Sequence, residues 1–296
     1  MDRAIKGLAH EGRVSIVAVE TTQLIEQIRK IHDLTPTTTA VLGRIATVSG
    51  MMGLTELKEK EDSLTIQING KGPVGAIVSV VTREKEKAMV KCYMQNPQVE
   101  LPLGDNGKIA VGQAVGTDGF LNVIRETEFT GKAYNGFVPL VSGEIAEDFA
   151  EYFARSKQTP TVLALGVLVD RNGVLRSGGY MISLMPDATE EDIQILENAI
   201  KNSESMSQML QNEMSLEQIV RTVTADENAL FLINDLQIEW KCDCSKERFA
   251  EGIASIGKEE VKKMIEEDGM AETKCQFCNK EYVFEKEELE EIFKKM

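Results

Sequence analysis

Five cysteines are the residues of this chain whose type and spacing could do chemistry. Four of them lie in the last 55 residues, as Cys242-Asp-Cys244 and Cys275-Gln-Phe-Cys278. Two close pairs joined by a long spacer predict a four-thiolate zinc site, because each pair can supply two corners of a tetrahedron. The spacer of 30 residues is longer than in common zinc modules, and the first pair has one intervening residue instead of two. The pattern therefore predicts zinc, one ion per chain, in a module that is not an ordinary zinc ribbon.

The two pairs are compatible with three functions. As a structural clip they would stabilise residues 238–296, a segment too small and too charged to fold alone, since structural zinc contributes on the order of 10–16 kcal/mol. As a redox switch, disulfides within Cys242-Asp-Cys244 and within Cys275-Gln-Phe-Cys278 would remove all four ligands together. As a catalytic dithiol, Cys275 and Cys278 would need a following helix, whereas Asn279–Phe284 predicts a turn and a strand. Because most zinc modules are structural, spacing alone favours the clip.

The net charge of −15 is concentrated in the C-terminal third of the chain. Residues 187–237 carry 11 acidic side chains against Lys201 and Arg221, and residues 238–296 add a further net charge of −5. This excess of acidic over basic side chains argues against nucleic acid as a partner. The longest apolar run, Val162–Val169, is too short to cross a membrane, and no signal peptide is evident. We therefore expect a cytoplasmic protein.

The first 186 residues predict an α+β core domain. Helices are expected at Thr22–Leu34, Thr37–Met52 and Ile145–Ser156, among strands at Arg13–Glu20, Ser63–Asn69, Gly75–Thr82 and Ala88–Met94. Five dipeptides are typical of tight hairpin turns: Asn69-Gly70, Asn106-Gly107, Asp118-Gly119, Asn135-Gly136 and Asn172-Gly173. Strands joined by such turns, with helices grouped outside them, argue against a doubly wound sheet.

Residues 187–237 predict a metastable acidic linker of short helices, because strand signals almost vanish after Asp187 and like charges repel. The linker separates the core from the C-terminal zinc-binding module, residues 238–296. Its apolar residues at helical spacing could pack in a core or could form a mobile, promiscuous apolar binding surface. The linker charge argues against deep burial. The residues concerned are Met206, Met209, Leu210 and Met214.

No motif in the sequence indicates a substrate, and we do not expect the protein to be an enzyme. The chain has two histidines, His10 and His32, and no Gly-Lys-Ser/Thr phosphate loop or Gly-x-Ser-x-Gly motif. Cys92 lies in a predicted strand and is most simply a buried thiol without a functional role.

Over essentially its whole length the chain resembles the bacterial 33-kDa heat-shock chaperones, a family of redox-regulated holdases. The tail carries that family's pattern of Cys242-x-Cys244, an acidic spacer ending Glu267-Asp268-Gly269, Cys275-x-x-Cys278-Asn279 and Tyr282-x-Phe284. The core is similar at Asn135–Leu140, Ala146–Ala150, Tyr152–Thr161 and Gly178–Met181. Lys157 departs from the expected Glu, but it is not one of the proposed switch residues.

The resemblance implies a mechanism. Zinc on Cys242, Cys244, Cys275 and Cys278 keeps the reduced protein inactive; oxidation joins Cys242 to Cys244 and Cys275 to Cys278, expels zinc and disorders the linker. Apolar surface on the linker and core then holds unfolding client proteins without ATP, with residues 1–186 as the substrate-binding and dimerisation domain. The candidate client-binding residues of the linker are Met206, Met209, Leu210 and Met214. The family implies a homodimer when active and transfer of clients to ATP-dependent foldases. The rival hypothesis from another class is a structural zinc-ribbon adaptor or regulator whose tail stays folded and has no redox switch.

Overall fold

A computed structural model describes residues 2–104, 107–127 and 133–296. The chain divides into two compact units, Met1–Lys241 and Cys242–Met296. The fold is α+β, as the sequence predicts. In the described residues no helix is long and apolar enough to cross a membrane.

The first unit is built on a ten-stranded sheet among the described residues. Its strands are β1 (Ala4–Ala9), β2 (Val14–Glu20), β3 (Ser63–Asn69), β4 (Ile77–Glu84), β5 (Lys87–Met94), β6 (Phe120–Glu126), β7 (Ala133–Pro139), β8 (Thr161–Asp170), β9 (Gly173–Leu184) and β10 (Leu230–Trp240). Their spatial order is β7-β6-β3-β4-β5-β10-β1-β2-β9-β8. Strand β10 joins the two halves, pairing antiparallel with β1 and, beyond Leu236, parallel with β5.

Among the described residues of this unit, seven α-helices are formed: α1 (Thr22–His32), α2 (Pro36–Glu56), α3 (Val111–Val115), α4 (Ala146–Tyr152), α5 (Glu190–Asn202), α6 (Met206–Gln211) and α7 (Leu216–Thr224). Helix α2 begins at Pro36, where Thr35 caps it by accepting from Thr38 N, and it is buried almost all round. It continues to Glu56, four residues beyond the predicted end at Met52. At Gly50 an added Cβ would lie 2.6 Å from Ile238, so glycine permits close contact with the sheet.

The half of the sheet formed by β1, β2 and β9 is covered on both faces. Neighbouring residues of β2 enter different cores, with Val17 in the cluster around α1 and α2 and Ile16 in a second cluster around α5–α7. This alternation explains why Val14–Glu20 is apolar almost without interruption, since a strand exposes successive side chains on opposite faces. The second cluster also contains Leu196, Ile219 and Val223 from α5 and α7.

A buried polar cluster connects the turn between β1 and β2 to helices α5 and α7. The Asp192 carboxylate accepts from Arg13 Nε at 2.8 Å and contacts His10 Nδ1 at 2.9 Å. The other ring nitrogen of His10, Nε2, lies 2.8 Å from the carbonyl oxygen of Thr224. The His10 and Asp192 side chains are 6% and 4% exposed. The cluster therefore ties both helices to the core through polar side chains, of which His10 and Asp192 are buried and Arg13 is partly exposed.

The segment 187–237 departs from the expected linker. Its first part forms three capped helices, as predicted, but residues 230–237 lie in β10, so the expectation of a wholly helical segment is wrong there. The compact unit continues to Lys241, four residues beyond the boundary that we placed after Gln237. Three candidate client-binding residues, Met206, Met209 and Leu210, are buried, and Met214 packs beside them, so the expectation against deep burial is also wrong. Apart from Asp192, the acidic residues of these amphipathic helices are exposed or half-buried, which reconciles the charge of the segment with burial of its apolar side chains.

The five dipeptides that predict tight hairpin turns are only partly confirmed by the structure. The β8–β9 turn consists of Arg171 and Asn172, one residue before the predicted Asn172-Gly173, because Gly173 already pairs with Asp170. Asn69-Gly70 and Asp118-Gly119 adjoin longer loops, and Asn106 lies outside the described residues. The prediction for Asn135-Gly136 is wrong, because both residues lie inside β7. A Cβ at Gly136 would be 2.5 Å from a ring carbon of Tyr152, so glycine admits the α4 side chain against the strand.

The second unit contains α8 (Lys246–Ser255), α9 (Lys258–Lys263), β11 (Met270–Lys274), β12 (Glu281–Glu285) and α10 (Lys286–Lys295), with β11 and β12 paired antiparallel. Its core is small. The buried apolar residues that form one cluster are Ile253, Val261, Tyr282, Phe284 and Leu289. A core of this size gives limited stability, which favours a metal as an additional source of folding energy.

Candidate metal centre

The four tail cysteines converge in the second unit. Cys242 and Cys244 precede α8, whose N-cap Ser245 accepts from Arg248 N, and Cys275 and Cys278 lie in the turn between β11 and β12. That turn is closed by two hydrogen bonds, from Cys275 N to the carbonyl oxygen of Lys280 at 2.9 Å and from Asn279 N to that of Cys275 at 2.8 Å. Asn279 adopts φ 60°, a left-handed conformation that Asn tolerates better than most residues.

The sulfur geometry fits a tetrahedral zinc ion. All four Sγ atoms lie within 4.8 Å of one another, with Cys242–Cys275 at 3.7 Å and Cys244–Cys278 at 3.4 Å. Zinc–thiolate bonds of about 2.3 Å in a tetrahedron separate sulfurs by about 3.8 Å. These two contacts each join one cysteine of the first pair to one of the second, which is the arrangement a shared metal requires. The thiols are free, so the arrangement is that of the reduced protein.

Burial and hydrogen bonding affect the sulfurs differently. Burial raises the pKa of Cys242 and of Cys278. Burial also opposes ionisation of Cys244, but its hydrogen bond with Tyr282 and the neighbouring thiols outweigh that effect and lower its pKa to about 7. Thiols that share protons in this way release those protons when a metal cation binds to the sulfurs.

Tyr282 is a site residue to which the sequence analysis assigns no role. Its hydroxyl oxygen lies 3.2 Å from Cys244 Sγ and donates to the carbonyl oxygen of Cys244 at 3.1 Å. The only advance signal is its position four residues after Cys278 in the Tyr282-x-Phe284 pattern. The alternation of β12 buries Tyr282 and Phe284 on the same face, which brings the hydroxyl to the cysteines.

The remaining predicted residues lie elsewhere. Cys92 is fully buried in β5, where burial raises its pKa, and it belongs to the large core of the first unit. Met206, Met209, Leu210 and Met214 lie in the cluster beneath α5–α7. A strand follows Cys278, as predicted. The described residues directly after Cys278 therefore do not begin a helix, whose N-terminus would lower the pKa of a catalytic thiol.

Comparisons with known proteins cover the whole chain. A family model described as Hsp33 protein matches residues 2–285. The 33 kDa chaperonin of Clostridioides difficile (strain 630) is 42% identical over 295 residues, which are 100% of this chain and 99% of that protein. The 33 kDa chaperonin of Bacillus subtilis (strain 168) is 39% identical over 291 residues, covering 98% and 97%. The crystal structure of the 33 kDa chaperonin (heat shock protein 33 homologue) from Thermotoga maritima matches with TM-score 0.88 and 34% identity, over 99% of this chain and 98% of that one.

Proposed function

The chain belongs to the Hsp33 protein family, a family of chaperones, and from that premise we propose that it is a redox-regulated, ATP-independent holdase. It prevents aggregation of unfolding proteins under oxidative and heat stress. The observation that carries the proposal is the convergence of Cys242, Cys244, Cys275 and Cys278, whose sulfurs lie within 4.8 Å of one another in the reduced state. These are the residues that would hold one Zn²⁺ and that would be oxidised.

Oxidation of each pair is a balanced two-electron reaction with a peroxide. One thiolate attacks the peroxide to give a sulfenic acid and one hydroxide; the second thiolate displaces the other hydroxide and forms the disulfide. The peroxide oxygens are reduced and the two sulfurs are oxidised. Disulfides Cys242–Cys244 and Cys275–Cys278 leave no thiolate for the metal. Zinc supplies, when bound, only structural cross-linking of the two turns.

Loss of the metal destabilises the module because its own core is small. Five buried apolar residues form the cluster described above, and structural zinc contributes on the order of 10–16 kcal/mol to folding of such sites. The chain runs directly from α7 through β10 into Cys242. We therefore propose that unfolding of the second unit, Cys242–Met296, weakens the attachment of the acidic helices α5–α7.

The surface that would hold clients is the apolar interface beneath those helices. Detachment would expose Met206, Met209, Leu210 and Met214 together with the face of the sheet that contains Ile16 and Ile182. Flexible, polarisable methionine side chains suit the binding of varied apolar sequences. The active form is proposed to be a homodimer in the cytoplasm that passes clients to ATP-dependent foldases.

Light scattering by a heat-unfolded client tests this function. The reduced, zinc-loaded protein is compared with protein treated with hydrogen peroxide at mild heat, and the released zinc is counted. We expect only the oxidised sample to suppress scattering, with about one zinc released per chain. A Cys92→Ala variant serves as the control and should behave like the wild type. Retained zinc without protection in either sample would instead support the structural adaptor.

A further inference from the structure

Strand β8 forms one end of the ten-stranded sheet and pairs, among the described residues, with β9 alone. It is 10 residues long, and every residue from Val162 to Val169 is apolar or glycine. Soluble proteins usually protect so long an edge strand with a lysine, a proline or a bulge, which prevents another strand from adding to it. Here Pro160 precedes the apolar run, and the register shifts only after Leu168. The edge from Val162 to Leu168 is therefore regular and uninterrupted.

Alternate residues of β8 direct their backbone groups away from β9. Leu184 N donates to the carbonyl oxygen of Pro160 at 3.2 Å, and antiparallel strands form such bonds through every second residue. A Cβ on Gly179 would lie 2.8 Å from the carbonyl oxygen of Ala164, so that carbonyl also faces β9. No hydrogen bond from any described residue reaches the backbone groups on the open side of the strand. These groups belong to Leu163, Leu165 and Val167.

A groove of about 480 Å³ runs beside the second half of β8. Leu165 and Val167 line it from the face of the strand that packs on the core around α2. Leu168 and Ser207 line it from the opposite face, on which α6 lies. Because residues from both faces of one strand border the same cavity, the groove lies along the open edge of β8. The remaining apolar residues that line it are Ala40, Leu103 and Ile109.

We propose that the open edge of β8 binds an extended apolar segment of an unfolding client protein, which adds to the sheet as one further strand. This inference rests on the proposed function. Backbone N–H and C=O groups recognise a polypeptide whatever its sequence, and alternate side chains of the added strand enter the apolar space on the α2 and α6 sides. A second copy of the chain is a poorer occupant. The groove is recessed between α6 and the wall containing Leu103 and Ile109, so the helices that flank another β8 would collide with those walls.

Helix α6 connects this edge to the redox state of the protein. A Cβ on Gly166 would lie 2.9 Å from Ser207 N, so α6 packs directly on β8 while helices α5–α7 are attached. Their detachment removes one wall of the groove and makes room for the larger side chains of an added strand. We therefore expect the edge of β8 to bind client segments more tightly after oxidation than before it.

The test compares wild type, Val167→Pro and Val167→Ala, all as full-length, peroxide-oxidised protein. Proline removes the N–H of residue 167, which faces the open side, so the pairing with β9 is retained. Alanine shortens the same side chain and keeps the N–H, which makes it the matched control. Fluorescence anisotropy measures binding of a fluorescein-labelled peptide of alternating valine and serine, and of the same peptide methylated on every backbone nitrogen. We expect Val167→Pro and peptide methylation each to weaken binding roughly 5- to 10-fold, and Val167→Ala to leave it close to the wild-type value.

Hydrogen exchange of the oxidised wild type locates the bound peptide. The amides of Leu163, Leu165 and Val167 should exchange more slowly once the peptide is bound. The amides of Val162 and Ala164, which already bond to β9, should change little. This measurement and the methylated peptide decide the question even if Val167→Pro does not fold.

Three results would overturn the inference. One is equal binding of the methylated and unmethylated peptides, and another is unchanged exchange along β8 on binding; if the oxidised wild type still suppresses client aggregation, the proposed function stands in both cases. The third is protection of the same amides without peptide in a protein that is dimeric by multi-angle light scattering, which would assign the edge to a second copy. An oxidised wild type that neither binds the peptide nor suppresses aggregation would contradict both the inference and the proposed function.

Discussion

Asp192→Asn is expected to detach helices α5–α7 from the core without any oxidant. The carboxylate accepts hydrogen bonds from Arg13 Nε and Nη2, from Thr189 N and Oγ1, and contacts His10 Nδ1. An asparagine preserves the shape and part of the helix cap, but it removes the negative charge that balances the Arg13 guanidinium.

The size of the effect follows from burial of the cluster. The Asp192 side chain is 4% exposed but that of Arg13 is 28% exposed, so removing the charge costs less than in a fully buried pair, about 1–3 kcal/mol. If that cost falls on the attachment of the helices, the ratio of attached to detached forms decreases roughly 5- to 160-fold. Arg13 holds the pKa of Asp192 well below its usual range, so the stabilisation is complete above about pH 4 and is lost as the pH falls further.

Hydrogen exchange of the reduced, zinc-loaded protein measures this change directly. Amides of α5–α7 should lose protection by that factor, while amides of β3 and β4 keep theirs. The control is Glu197→Gln, which makes the same charge change at an exposed position of α5. Wild-type protection of α5–α7 in Asp192→Asn, or an equal loss throughout the sheet, would refute the reasoning. A detached segment should also suppress client aggregation before oxidation.

Three further perturbations have defined outcomes. Cys275→Ser should lower the zinc content measured by a colorimetric chelator and loosen the tail under reducing conditions; unchanged zinc would exclude Cys275 as a ligand. Gly50→Val should destabilise the first unit by about 1–3 kcal/mol, seen as a lower Tm, because its added atoms meet Ile238 at 2.6 Å; an unchanged Tm would show that α2 can shift. Glu26, whose hydrogen bond with Arg29 lowers its pKa to about 2, should stabilise the fold fully above about pH 4.5 and lose that effect toward pH 2. Glu26→Gln should flatten this part of the Tm–pH profile, and an identical profile would count against the pairing.

The sequence predicts the α+β class and the convergence of the cysteines because both depend on local patterns. Strand β10 is not predicted from the sequence because its stability comes from pairing with Ala4–Leu8 and Lys87–Val90, which are distant in the chain. The turn prediction for Asn135-Gly136 fails because glycine is required there by contact with the Tyr152 ring, which the local sequence does not reveal. The hydroxyl of Tyr282 becomes relevant only when β12 pairs with β11 and brings it to Cys244.

Strand β10 also imposes an order on synthesis of the protein. Among the described residues it alone joins β5 to β1, so the two halves of the sheet remain separate until residue 240 has left the ribosome. Its parallel partner in β5 was made about 150 residues earlier, and such distant pairing is slow to form. A nascent chain that stops short of β10 therefore exposes two unpaired strand edges, β1 and β5, which are competent to pair with other chains. This member of a chaperone family therefore passes through an aggregation-prone state of its own during translation.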